Sequence, residues 1–308
     1  MSDEQQPGLG PPETGPPETG PPQTGQPDTG PPEPEQPEPG LQRVSDLYAP
    51  QIPPRTLLAP QQPEAGPPDT GPAEKTPFWG YNDLLHFIGL APVCLILGYT
   101  LVKLPLRILH IHPAVQVEEA IPEQLMGYLI LFGALGLIFR QGYGRPFWES
   151  LGWTAIRLPL GVIVCFGVLT GVMVVIAGTL IRLPNTANPM TEMMSTRTAI
   201  LLMTVFGTTV APLCEELAFR GFLQPLLARS LGAAPGILLA AIPFGLLHYP
   251  EYGDSWRHAL IISAAGAAFG AMRQFSGSTK AAALMHASYN AFFFLLMFAD
   301  GKVLPRSW

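Results

Sequence analysis

Cysteine is scarce and charge is thin. Three cysteines in 308 residues, Cys94, Cys165 and Cys214, each lie in an apolar run and show no disulfide or metal-ligand spacing, which excludes a disulfide scaffold and a cysteine metal knuckle. They read as small buried hydrophobes. Only 13% of residues are charged, and most of the acid behind the net charge of −6 lies in the N-terminal tail, so there is no basic surface for nucleic acid. The HExxH helix of zinc proteases is missing, as is the GxSxG elbow of serine hydrolases. Gln274 occupies the first glycine position that a GxSG at Ser276 would need, and Glu251 stands where a GxGD would need its first glycine. Glycine-rich nucleotide loops are absent too. The chain starts acidic and proline-rich where a signal peptide is basic and then apolar. A Cys214–histidine dyad stays open by residue type, against the usual inertness of a cysteine in an apolar turn.

What is present falls into two regions. Residues 1–77 carry GPPET at Gly10 and Gly15, drifting through GPPQT, GQPDT and GPPEP, with an echo at Gly66. Glycine recurs every fifth residue there, which excludes the collagen triple helix and its glycine at every third. The remaining expectation is a disordered, acidic, polyproline-leaning tail. The semi-apolar stretch from Leu41 is read as part of it, with a docking motif for protein partners as the alternative.

Residues 78–308 are expected to form an all-α, polytopic transmembrane bundle. A bilayer takes about 20 apolar residues per helix, and runs of that kind fall near Leu84–Leu104, Ile121–Phe139, Leu158–Ile181, Ala199–Leu217, Ala233–His248, Ala259–Met272 and Lys280–Ala299. That is about seven spans, or eight if KLPLRILHIHPAVQVEEAIP, from Lys103, hides another helix. Trp79, Trp148, Trp153, Trp256 and Trp308 flank span ends as an aromatic belt would. Arg140, Arg145, Arg157, Arg220, Arg229, Arg273 and Lys280 fall on one side of the membrane in this topology, and Glu118, Glu119, Glu251 and Asp254 on the other. The basic side points to a cytoplasmic N-terminus in the cell (inner) membrane.

The polar residues inside those spans are the chemical signal. Phe206–Arg220, FGTTVAPLCEELAFR, runs from apolar sequence into Glu215, Glu216 and Arg220. A charge at the centre of a spanning helix costs roughly 2.5 to 3.5 kcal/mol even on lenient insertion scales. Glu216 and Arg220 share a helical face in the favourable acid-first order, whereas Glu215 is turned about 100° away. One carboxylate is therefore paired and one is spare. His248 ends the apolar run PFGLLH, on the face of Phe244, and His286 and Asn290 share one face of the last span. Each has a bland reading: glutamates at headgroup depth, or a polar clamp between helices. His86, His110, His112 and His258, near span ends, read as interfacial residues, and Gly266 with Gly270 reads as a close-packing face. Two histidines, two glutamates, an asparagine and an arginine from apolar helices are together expensive to leave apart in lipid. Convergence on one interior cavity is the expectation.

EELAFR at Glu215, FGLLH ending at His248, and HASYN from His286 resemble, in order, the motifs of the CAAX prenyl protease and bacteriocin-processing (abortive-infection) family of intramembrane glutamate endopeptidases. RPFWESLGW at Arg145, and Gly277–Ser278 before the last span, also look like family segments; the tail does not. The resemblance centres on about residues 199–299. It implies a protease that activates water without a bound metal or other cofactor and cleaves a peptide or protein near the membrane surface. Glu215 matches the catalytic glutamate, His248 the histidine that helps to hold and activate water, Glu216 and Arg220 the supporting pair, and His286 and Asn290 the groups at the developing oxyanion. General chemistry agrees, since an apolar cavity favours the neutral carboxyl and so makes a base effective near neutral pH. Two alternatives stay open: a non-catalytic scaffold or bacteriocin-immunity-type protein that recruits partners through its tail, and a zinc metalloprotease with Glu215, His248 and His286 as ligands. Because the tail lies outside these motifs, deleting the residues before Lys75 is expected to leave turnover of a short peptide within about threefold of the full chain. Peptide cleavage by the two forms checks this, and a collapse on deletion would favour the scaffold.

Overall fold

A computed structural model of the protein describes residues 77–184 and 189–300, where helices, joined by turns and loops, are the regular structure. The repeat tail, with its expected disorder, and Trp308 lie outside the described residues. The helices are α1 (Tyr81–Ile108), α2 (Val117–Leu137), α3 (Phe147–Ser150), α4 (Leu160–Leu180), α5 (Pro189–Met193), α6 (Arg197–Thr208), α7 (Val210–Glu216), α8 (Gln224–Leu231), α9 (Ala233–Leu247), α10 (Trp256–Ser276) and α11 (Thr279–Asp300). A π-helical turn, Ile138–Gly142, follows α2, a second, Leu217–Leu223, joins α7 to α8, and a 3₁₀ turn, Pro250–Tyr252, follows α9.

Five of these are long and apolar enough to cross a membrane: Tyr81–Ile108, Val117–Gly142, Leu160–Leu180, Arg197–Leu231 and Thr279–Ala299. Leu85, Ile88 and Ile96 of α1 and Leu160, Leu169 and Ile176 of α4 face outward, where only lipid makes such surfaces stable. The protein is an integral membrane protein. Two of the expected spans differ from these five. Ala233–Leu247 is apolar but has 15 residues, about 22 Å at 1.5 Å per residue against a hydrocarbon core of about 30 Å. Helix α10 has 21 residues, but Arg257, His258, Arg273 and Gln274 interrupt its apolar character. The segment from Lys103 holds no helix of its own. Its ends extend α1 and begin α2, and residues 109–116 between them are non-helical.

Trp79 is not a belt residue. It is 1% exposed, donates from Nε1 to the Phe222 carbonyl at 3.1 Å, and lies between the rings of Phe139 at 5.3 Å and Phe222 at 5.4 Å. Both partners sit in π turns, which re-aim side chains relative to a regular helix. Trp148 and Trp256 do face outward.

The segments at Arg145 and Gly277 form one clamp that fixes where α11 begins. Thr279 donates from its backbone N to Gly152 O at 2.8 Å and from Oγ1 to Leu151 O at 2.6 Å, Ser278 Oγ donates to Thr154 O at 3.0 Å, and Arg273 Nε donates to Thr279 Oγ1 at 2.9 Å. Gly152 has φ +69°, and a Cβ there would lie 2.9 Å from Arg273 Cζ. Gly152→Ala is therefore expected to destabilise the folded protein by about 2 to 4 kcal/mol, from left-handed strain and overpacking together. Thermal denaturation in detergent against the unaltered protein measures this; equal midpoints would refute the clamp.

Candidate active site

The site is built around a helix that is interrupted twice. At Thr209, with φ −127° and ψ −75°, the chain leaves helical geometry between α6 and α7, and Pro212, lacking an N–H, cannot bond back to the turn before it. Helix α7 then presents Glu215 and Glu216, and the π turn Leu217–Leu223 presents Arg220. Such turns recur at functional sites.

Glu216 and Arg220 are 0% and 1% exposed. Arg220 donates from Nη1 to Glu216 Oε1 at 2.9 Å and from Nη2 to the Gly266 carbonyl at 2.7 Å, while its Cζ stands 4.4 Å over the Phe244 ring and 5.5 Å from that of Phe269. Aromatic faces are favourable neighbours for a desolvated guanidinium. The glycines of α10 serve this contact. A Cβ at Gly266 would meet Phe244 at 2.7 Å and Arg220 Nη2 at 3.0 Å, so the close-packing face is also the berth of the buried arginine. One turn on, Gln224 repeats the arrangement, donating from Nε2 to the Gly270 carbonyl at 2.9 Å. Sequence reasoning missed Gln224, although its i+4 spacing from Arg220 matches that of the two glycines.

The carboxylate of Glu216 has a second client. His286 donates from Nδ1 to the same Oε1 at 2.9 Å, and its ring stacks on Phe269 at 4.4 Å with an interplanar angle of 18°. With Nδ1 carrying a proton, the neutral ring has a bare Nε2, which lies 3.8 Å from Glu215 Oε2. An Nε2–H donor at this position is therefore the doubly protonated ring. Glu215 itself is 21% exposed at its side chain. His248, just past the end of α9, donates from Nδ1 to Phe244 O at 2.8 Å, which leaves its Nε2 as the acceptor.

Glu215, His248, His286 and Asn290 line one cavity of about 460 Å³. Glu216 and Arg220 stand behind it, reaching it through His286. One N–H of Asn290 is already committed to the Gly207 carbonyl at 2.7 Å, at the end of α6 where helix carbonyls lack intrahelical partners. An amide has a second N–H, and an oxyanion role rests on that one. The structure thus brings together the side chains picked out in the sequence, in two tiers. Cys214 is buried and is not among the lining residues. The rest of the lining is mainly apolar, including Met193, Met194, Met203, Phe293, Phe294 and Met297, with Glu251, Tyr252 and His258 as further polar members. His258, read from sequence as interfacial, in fact faces this cavity and stacks on Tyr252 at 4.9 Å. Burial first, then Glu251 and Glu215, push the Tyr252 phenol up to about 12, so it is a neutral hydroxyl. Among the described residues no three His, Cys, Asp or Glu side chains converge as a metal-holding group.

Residues 197–292 match the family model described as Type II CAAX prenyl endopeptidase Rce1-like. This stretch holds both tiers of the site and leaves out α1 to α5. No curated protein and no solved structure matches the chain.

Removing one partner of a buried ion pair strands the other, at a typical cost of 3 to 5 kcal/mol, roughly, whereas replacing both by apolar groups of similar volume costs much less. Glu216→Gln is accordingly expected to lower the thermal midpoint in detergent well below that of Glu215→Gln. The double variant Glu216→Leu/Arg220→Met should recover part of the loss. Equal midpoints for the two glutamine variants would contradict the two-tier arrangement.

Proposed function

We propose that the protein is an intramembrane endopeptidase in which Glu215 activates a water that attacks a peptide bond near the membrane surface. The observation that carries this reading is the unequal treatment of two adjacent carboxylates. Glu216 is tied to an arginine and a histidine, while Glu215, among the described residues, has no hydrogen bond and opens on the cavity.

A water between Glu215 and His248 Nε2 has a proton acceptor on each side. Glu215 takes its proton as the oxygen attacks the carbonyl carbon, and the new oxyanion develops on the side of His286 and Asn290. Donors held in place before the reaction stabilise such charge strongly, because they pay no reorganisation cost during it. His286 is held at that side by its Nδ1–H bond to Glu216, in the manner of a carboxylate that steadies a catalytic histidine, and the second N–H of Asn290 donates to the oxyanion. Charge then balances throughout. The oxyanion carries the negative charge that Glu215 loses on taking the proton, and Glu216 and Arg220 are unchanged. Collapse of the tetrahedral carbon breaks the C–N bond, and the proton held on Glu215 goes to the leaving amine. Two products result, a new C-terminal carboxylate and a new amine.

Processing of prenylated C-terminal peptides is the activity named for the matched family. In this reading the substrate is a peptide or protein presented at the bilayer, α9 and α10 complete about seven spans with the five long helices, the N-terminus is cytoplasmic in the cell (inner) membrane, and the proline-rich tail is free to bind other proteins. The scaffold reading draws on one observation, that the Glu216 and Arg220 contacts tie the helix bearing them to α10 and α11 whether or not chemistry occurs.

Kinetics separate these readings. Glu215→Gln should abolish cleavage in a protein that stays folded. His286→Ala should lower kcat by about 10² to 10³ with KM nearly unchanged, and Asn290→Ala should resemble it in kind. Neither chelator nor added zinc should alter any of these rates. A stoichiometric metal in the active protein, lost in His286→Ala, would establish the zinc alternative instead. A protein without Glu215-dependent cleavage of any peptide would leave the scaffold.

A further inference from the structure

The cavity carries charge of one sign only. Its lining includes two glutamates, Glu215 and Glu251, and no lysine or arginine. Glu215 is occupied by the proposed chemistry. Glu251 is not, and among the described residues it has neither a hydrogen-bond nor an ion-pair partner. The side chain is exposed, but the backbone that carries it is held. It sits in the 3₁₀ turn Pro250–Tyr252, which begins with a proline and is closed by Gly253 N to Pro250 O at 3.2 Å and Asp254 N to Tyr249 O at 3.0 Å. Tyr252 packs this turn onto His258 of α10, and α5 packs against it. The other ionisable side chains lining the cavity include Glu215, Tyr252, His248, His258 and His286, and Glu251 meets no lysine or arginine there among the described residues. Methionine and phenylalanine make up much of the remaining lining.

We propose that Glu251 is a specificity residue that selects a peptide carrying a lysine or arginine side chain beside the scissile bond and an apolar side chain on the other side of it. This rests on the protease reading, whose chemistry occupies the centre of the same cavity. The apolar residue enters the wall of Met193, Met194, Met203, Phe293, Phe294 and Met297, where thioethers adapt to side chains of different shape. The cationic residue ends near Glu251, at the cavity mouth. The same charge inventory works against a free carboxylate. A substrate whose own C-terminal carboxylate falls inside the cavity meets two glutamates and no fixed cation, and like charges brought together are a device for rejecting the wrong ligand. An internal peptide segment, such as the stretch where a membrane-anchored helix ends in basic residues, fits this inventory.

The test separates binding from cleavage. Fluorescently labelled peptides, identical except for Lys, Gln or Glu at each position within three of an apolar anchor residue, are titrated onto the full-length protein bearing Glu215→Gln, in detergent micelles. The Lys peptide is expected to bind about tenfold more tightly than its Glu counterpart at one register, attraction gained and repulsion avoided together. Adding Glu251→Gln should reduce that ratio to about twofold, and Glu251→Lys should invert it. Thermal midpoints and elution volumes check that each variant is folded. Equal affinities for the Lys and Glu peptides, a preference that survives Glu251→Lys, or no saturable binding of any peptide would each overturn the proposal. Because binding is read on a variant that cannot hydrolyse, a cation preference without any cleavage by the unaltered protein would sink the protease reading and its scissile-bond register, and would leave Glu251 as a cation-selective contact for a bound peptide.

Discussion

A carboxylate cannot be left bare where water does not reach, and that constraint organises this protein. Glu216 answers it with one oxygen shared between Arg220 and His286. From that oxygen the contacts run outward: through Arg220 to the backbone of α10, and through His286 to α11. Stacking on Phe244 and Phe269 fills the space around both. Remove the glutamate and three helices lose a common anchor. This is also why α10 must be glycine where it passes, since a side chain at Gly266 would displace the guanidinium. Glu216 Oε2 has no protein partner among the described residues.

The same constraint separates two neighbours in the sequence. Glu215, one residue away, is rotated off the paired face and opens on the cavity, with His286 Nε2 3.8 Å from its Oε2. Structural carboxylate and reactive carboxylate thus come from a single helical turn, and the first orients a histidine for the second. His286 links the tiers, with Nδ1 on Glu216 and Nε2 toward Glu215. A rigid inner tier is what gives positional accuracy to an outer tier that touches substrate.

Much of this was legible in the chain, for identifiable reasons. Long apolar runs report lipid exposure directly, so the five long spans stand out. The Glu216–Arg220 contact is local, a matter of helical spacing. What depends on distant packing was not legible. That His286 bonds Glu216 joins positions 70 apart, and Asn290 on Gly207 joins positions 83 apart; a motif places such residues near one another without saying which atoms meet. Trp79 misled because a tryptophan beside a span end looks the same whether it faces headgroups or, as here, donates to Phe222 in the core. The π turn left no periodicity signal in so short a stretch, and α9 shows that apolar composition does not report how long a helix is. His258 and Glu251 looked like loop furniture until the fold turned them toward the cavity.

The central claim is that Glu215 acts on water and does not itself attack the carbonyl. A single-turnover hydrolysis in ¹⁸O-labelled water, with protein in excess over a susceptible peptide, tests it most directly. If Glu215 is a base, the label appears in the new C-terminal carboxylate of the peptide on the first turnover, and the peptide of this protein containing Glu215 stays unlabelled. Label found in Glu215 after that turnover, with unlabelled product, would mean a covalent acyl intermediate and would contradict the account.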